Sequence, residues 1–251
     1  MVEETLYERL TPAGFESRIK AAPIAYLSLG TLEWHGPHLP LGSDFLQSQG
    51  LFKKLAERVG GIVLPPLFLG PDSMREVDGV EYYGMDLSKT APDSPRQLKG
   101  SAYWVPDWLF SETVEAVLKQ LRRAGFRIVV AHGHGPSTNH FVRNGESLGE
   151  KLDLIIMTVW RGEEERQPST EFQYDHAAAN ETSIMMALHP DLVHMGQLPT
   201  DSDEWLLGII GEDPREHASA THGQEIIDIH LERMESMLKK RLLELRREKD
   251  A

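Results

Sequence analysis

Two carboxylates and two imidazoles, Glu33, Asp44, His35 and His38, fall within twelve residues of this 251-residue chain. The chain has no cysteine, so carboxylate oxygens and imidazole nitrogens are its only strong ligands for a divalent ion. Glu33 and His35 are separated by one residue, which on an extended segment turns both side chains to the same side. Asp44 carries two oxygens and is positioned to bridge a pair of ions. A second cluster follows far along the chain, where His134 stands between Gly133 and Gly135, whose missing side chains let the backbone come close to an ion or substrate. His132 precedes it, and each of the two is read either as a ligand or as a structural histidine bonded to backbone. The third group is Asp175, His176 and Glu181. Here His176 or Asp175 moves protons, and Glu181 binds metal or orients a ligand. The alternative is that Asp175 caps a helix and Glu181 is solvated.

These clusters need elements that bring them together. Ile24 to Leu29 is an apolar run ending at Gly30, the pattern of a buried strand that delivers a loop at its carboxyl end. Asp44 to Val59 has helical spacing and stops at Gly60-Gly61, and a second strand covers Ile62 to Leu64. Ser111 to Ala124 reads as a helix with Ser111 as its N-cap. Ile128 to Ala131 is a strand that empties into His132-Gly133-His134-Gly135. A helix over Asn139 to Leu152, a strand over Leu154 to Val159, a helix from Asp175 through Met186 and a long amphipathic helix from Ala220 to Lys249 complete the reading. The alternation predicts one α/β domain over 1–251, three layers deep, with helices on both faces of a mostly parallel sheet. The carboxyl ends of such strands converge at one sheet edge, which is where the clusters would meet. Residues 70–107 show no period and are expected to form an irregular excursion beside the site.

Bulk composition narrows the partners. With 40% hydrophobic and 26% charged residues the chain is an ordinary folded protein. A formal net charge of -13 argues against nucleic acid, whose binding draws on Lys and Arg. The acidic start Met1-Val2-Glu3-Glu4-Thr5 lacks a signal pattern and no apolar run reaches membrane length, so no membrane association and a cytoplasmic location are expected.

Gly30-Thr31-Leu32-Glu33-Trp34-His35-Gly36-Pro37-His38-Leu39-Pro40, followed by Asp44, resembles the signature of the creatininase family, the creatinine amidohydrolases and their relatives. Gly133-His134-Gly135 is similar to that family's Gly-His-Gly motif, and His176-Ala177 with Glu181-Thr182-Ser183 to its His-Ala and Glu-Thr-Ser motifs. The resemblance extends through Asp213-Pro214 to Gly223 and implies a metal-dependent hydrolase holding two divalent ions, Zn, Mn or Fe. It implies Glu33 and His134 on one ion, His35 and a distal glutamate on the other, and Asp44 between them. Pro136 stands where creatininase carries that distal glutamate, so the role passes to Glu181. By the same resemblance His176 transfers protons beside an acidic Asp175, and Trp160 walls the pocket. His38, Ser73 and His132 join Trp160 as expected substrate contacts, although Asp72-Ser73-Met74-Arg75 replaces the Ser, Glu, His run of many relatives and His132 replaces an Asn. The implied reaction is attack of activated water on a carbonyl of a small cyclic amide. The alternatives are hydrolytic C–C ring opening of a cyclic diketone derived from a polyol and a metal-retaining protein without catalysis. A homo-oligomer, a hexamer among the forms possible, is implied as well.

Overall fold

The computed structural model describes residues 4–89, 95–201 and 206–250. Its centre is a four-stranded parallel sheet in the order β2-β1-β5-β6. The strands are β1 (Ile24–Leu29), β2 (Ile62–Val63), β5 (Ile128–Gly133) and β6 (Ile155–Met157). Side chains alternate between the faces, as a pleated strand requires. Ile24, Tyr26, Ile128 and Val130 pack against α2 (Ser43–Val59), α5 (Ala179–Leu188) and α7 (Ala220–Asp250), through Leu51, Phe52, Leu55, Ile184, Ile226, Leu231 and Met234. Ala25, Leu27, Leu29, Val129 and Ala131 pack on the other face with α3 (Asp107–Arg123) and α4 (Gly135–Leu152), through Phe110, Val114, Leu118 and Phe141. Phe15 and Ile19 of α1 (Pro12–Ala21) close that side, and the Thr11 hydroxyl caps α1 by accepting from the Gly14 N–H at 3.2 Å. Helices thus cover both faces of the sheet, the three-layer arrangement expected.

Several element ends differ from their sequence reading. α3 starts at Asp107, directly after Pro106, so Ser111 lies inside the helix and does not cap it. α4 starts at Gly135, immediately after His134, rather than at Asn139. α5 starts at Ala179, and Asp175 lies before it. The irregular excursion contains a hairpin, β3 (Met74–Val77) against β4 (Val80–Tyr83). A short helix, α6 (Pro214–His217), precedes α7.

α5 carries Glu181 and is buried on every side from Ala179 to Met185. It can sit this deep because α7 crosses it at Gly223, where an added Cβ would overlap the Ser183 carbonyl oxygen. Gly223→Ala must therefore separate the two helices. The expected result is a loss of about 1–3 kcal/mol, the usual cost of overpacking, read as a Tm several degrees lower in the ion-free protein.

Candidate metal centre

β1 and β5 are adjacent, with Leu29 in register with Gly133, so the two motif loops leave the sheet side by side. Gly133 has φ +151°, and a Cβ there would collide with the Leu29 carbonyl, which makes glycine obligatory at the point of exit. The Thr138 hydroxyl accepts from the Gly133 N–H and donates to its carbonyl, both at 3.0 Å, fixing the turn that aims His134.

Two ligand groups result. Glu33, Asp44 and His134 form one, and His35, His176 and Glu181 the other; within each, the possible ligand atoms lie within 4.8 Å of one another. Asp44 faces both, with Oδ1 3.5 Å from His35 Nε2 and Oδ2 3.4 Å from His134 Nδ1. His134 Nδ1 is 3.4 Å from Glu33 Oε2, and His35 Nε2 is 3.6 Å from Glu181 Oε2. These separations are long for charge-assisted hydrogen bonds, which run about 2.7–2.9 Å. They match instead the roughly 3.4 Å between neighbouring ligands around a tetrahedral ion with bonds of about 2.1 Å. His35 Nε2 and Asp44 Oδ2 are buried without a hydrogen-bond partner, an expensive state for polar atoms unless an ion satisfies them. The residues present therefore fit a pair of divalent ions.

The tautomers also suit. His35 Nδ1 is 3.0 Å from the Glu33 carbonyl oxygen, which can only accept, so Nδ1 carries the proton and Nε2 presents its lone pair to the carboxylates. Electrostatics without an ion point the same way. Burial disfavours a charged His35, yet Asp44, Glu181 and Glu33 outweigh it and raise its pKa to about 10. Burial likewise opposes the charge on Asp44 and Glu33, but the neighbouring histidines prevail and hold both carboxyls below their ordinary range. A cationic slot filled by protons is one that a divalent cation fills in their place.

His176 is held from two directions. Its backbone exchanges hydrogen bonds of 2.9 Å with Ile210, and its Nε2 donates to the Trp34 carbonyl at 2.8 Å. Nδ1 is thereby free, 4.0 Å from Glu33 Oε2, and the ring lies against His35 with centroids 4.3 Å apart.

Glu33, Asp44, His134, Asp175, His176, Glu181 and Trp160 line one cavity of about 740 Å³; His35 is fully buried and is not among its lining residues. Three expected positions need correction. His38 is fully buried behind the site, its Nε2 2.9 Å from the Thr182 hydroxyl, and braces α5 rather than meeting a substrate. His132 lies on the core face of β5, two residues beyond Val130, against Trp160 and Phe172 with ring centroids at 5.3 and 5.7 Å. Ser73 is exposed outside the cavity, and its neighbour Asp72 enters instead. Asp175 is at the cavity wall as expected, and there Oδ2 accepts from the Asn180 N–H at 2.8 Å and Oδ1 from the Glu181 N–H at 3.0 Å, so it also caps α5. Burial, against those two hydrogen bonds, raises its pKa to about 6.

Residues not anticipated from sequence include Asp72, Gly84 and Met85 from the excursion, Gln173, and the late residues Ile210, Glu212, His217 and His222 at the cavity wall. The Gln173 side-chain amide donates to the Asp44 carbonyl at 3.1 Å. The signal for Asp72 was its place after Gly70-Pro71 in a segment already expected to border the site.

The fold and the paired groups of acids and imidazoles define an α/β protein with a candidate metal centre at one edge of its sheet. The chain belongs to the creatininase family: the family model for creatinine amidohydrolase matches residues 8–238. Creatinine amidohydrolase of Pseudomonas putida is 25% identical over 219 residues, covering 79% of this chain and 77% of that protein. The 3-dehydro-scyllo-inosose hydrolase of Thermotoga maritima is 24% identical over 199 residues, covering 75% of this chain and 57% of that protein. Among solved structures, a mutant creatininase described as zinc–zinc type is similar at a TM-score of 0.70 and 20% identity, covering 95% of this chain and 98% of that one. A creatininase described by its manganese is similar at 0.65 and 20% identity, covering 95% and 99%. Among the described residues no helix is long and apolar enough to cross a membrane.

Proposed function

We propose that this chain is a metal-dependent hydrolase that opens a small cyclic amide at its C–N bond. The observation that carries the reading is the set of buried imidazole and carboxylate atoms spaced 3.4–3.6 Å apart, two of which, His35 Nε2 and Asp44 Oδ2, have no hydrogen-bond partner. Glu33, Asp44 and His134 would hold one ion and His35, Asp44 and Glu181 the other, with Zn, Mn or Fe all suited to such nitrogen and oxygen donors. Ions bound there supply carbonyl polarisation and acidification of water, worth several kcal/mol in the transition state.

The protein's own side chains do the rest. His176 offers an unprotonated Nδ1 at the cavity and delivers or accepts a proton at the scissile bond. Asp175 holds the first turn of α5, and so Glu181, in place. Trp160 forms an aromatic wall, fixed by its Nε1 donating to the Phe172 carbonyl at 2.8 Å and by Arg166 stacked 4.7 Å from the ring centre. Among the described residues no Lys or Arg lines the cavity, which favours neutral or cationic substrates over anionic ones. The same reading carries a homo-oligomer, to which the exposed Met74, Val80, Tyr103 and Trp108 of the 70–110 region offer apolar surface.

Hydrolytic C–C cleavage of a polyol-derived ring diketone is the second reading, supported by the inosose hydrolase among the relatives. Metal analysis joined to turnover on cyclic amides, formamides and ring diketones separates them. The expected result is up to two ions per chain, activity abolished by chelator and restored by metal, and turnover of a cyclic amide. Full activity in metal-free protein overturns the mechanism, and turnover of ring diketones alone favours the second reading.

A further inference from the structure

We infer that Asp72 is a positioning residue that locks the His134 ring with Nδ1 toward the ions, and that the excursion after β2 enters the centre to supply it. The inference rests on the metal-site reading above. His134 faces carboxylates at both ring nitrogens: Glu33 and Asp44 at Nδ1, and Asp72 at Nε2, a buried nitrogen without an aligned hydrogen-bond partner from which Asp72 Oδ2 stands 3.3 Å away. A ligand histidine whose far nitrogen donates to a carboxylate has its tautomer and ring angle set by that carboxylate, and its basicity raised. Asp72 can do this because it is itself fixed. Its Oδ1 accepts from the Ser73 N–H at 2.6 Å, and its side chain is only 10% exposed.

The hairpin is built to admit it. Asp72 and Gly84 sit at the open end of the β3–β4 pair, where the Gly84 N–H donates to the Ser73 carbonyl at 3.0 Å. Gly84 has φ +48°, and a Cβ there would stand 2.5 Å from Asp72 Oδ2 and 2.6 Å from Glu33 Oε1. The next residue, Met85, donates its N–H to Glu33 Oε1 at 3.3 Å. One short segment therefore steadies two members of the Glu33, Asp44, His134 group from outside, Glu33 through backbone and His134 through a carboxylate. Pro136 offers no side-chain donor or acceptor on the α4 side of His134, and among the described residues Asp72 is the carboxylate besides Glu33 and Asp44 that stands against the ring.

The test is zinc titration of the purified full chain against a competing chelator, for wild type, Asp72→Ala, Asp72→Asn and Gly84→Ala. Loss of a partner to a ligand histidine typically costs about 10–100-fold in metal affinity. Asp72→Ala is expected to weaken one zinc site by that factor and leave the other at its wild-type affinity. Asp72→Asn retains an acceptor and should fall between. Gly84→Ala should weaken the same site by crowding Asp72. Melting of the ion-free proteins, with Asp72→Ala within a few degrees of wild type, shows that the fold is intact. Wild-type affinity at both sites in Asp72→Ala overturns the inference, as does a raised KM with unchanged zinc binding, which would make Asp72 a substrate contact. A wild type that takes up no zinc overturns the metal-site reading itself.

Discussion

Asp44→Ala is expected to lower turnover by about a thousandfold or more, because Asp44 is the carboxylate that faces both His35 and His134 and, in the proposed centre, both ions. Its two oxygens lie 3.5 Å from His35 Nε2 and 3.4 Å from His134 Nδ1. Ions at such sites contribute several kcal/mol to transition-state stabilisation, and each 1.36 kcal/mol is about tenfold in rate. Zinc content after dialysis should fall from two toward none, whereas loss of Glu181 should spare the His134 ion. Retention of two ions and of near-normal turnover in Asp44→Ala would remove the bridging role. The ion-free protein offers a second readout. His35 is raised to about 10, so the stability it contributes is complete below its unfolded pKa and is lost as pH rises through about 10. Asp44 is held below its ordinary value and contributes in the opposite sense, its share being lost as pH falls into the acid range. Denaturant midpoints of ion-free wild type should therefore decline between pH 7 and pH 10. Asp44→Ala, with the nearest counter-charge of His35 removed, should show a flatter alkaline slope.

The parts of this centre that were legible in the sequence share one property, that a local pattern specifies them. Ile24–Leu29 and Ile128–Gly133 are unbroken buried runs, the first followed by Gly30 and the second ending in Gly133, each beside a cluster of acids and imidazoles. Parallel strands of that kind place their carboxyl ends together, so the meeting of Glu33, Asp44 and His134 follows from the fold class. Facing was harder to read. His132 and His134 differ by two residues and would share a face on a regular strand. The strand instead ends at Gly133, whose φ of +151° turns His134 toward the cavity while His132 stays in the core. Asp175 shows the limit of residue type as a guide: the same carboxylate can serve a proton relay or a helix cap, and its bonds to the Asn180 and Glu181 N–H groups were not readable from sequence. Asp72 was hidden because its segment has no period. Its entry depends on Gly84, twelve residues away across a hairpin, and a hairpin joined through Asp78-Gly79 within a Pro- and Gly-rich stretch offers little alternation to read.

His176 carries the remaining large effect. Its geometry admits two uses, because Nδ1 points both at the cavity and toward the group formed with His35 and Glu181. Burial, and then the neighbouring His35, hold its pKa below the ordinary histidine value, so the ring is neutral near pH 7 and able to take a proton. The bond from Nε2 to the Trp34 carbonyl fixes which nitrogen does so, and the Ile210 clip fixes where. A positioned general acid or base is worth about 10²–10⁴-fold, so His176→Gln should reduce kcat by that factor while KM changes little. Two zinc ions should remain bound in the variant, since Glu181, Asp44 and His35 suffice for the second ion. Loss of one ion instead would make His176 a ligand and move proton transfer elsewhere in the cavity. The pH profile discriminates further: the acid limb of kcat in wild type, set by a base that must be neutral, should disappear in His176→Gln, and its persistence would assign that limb to another group.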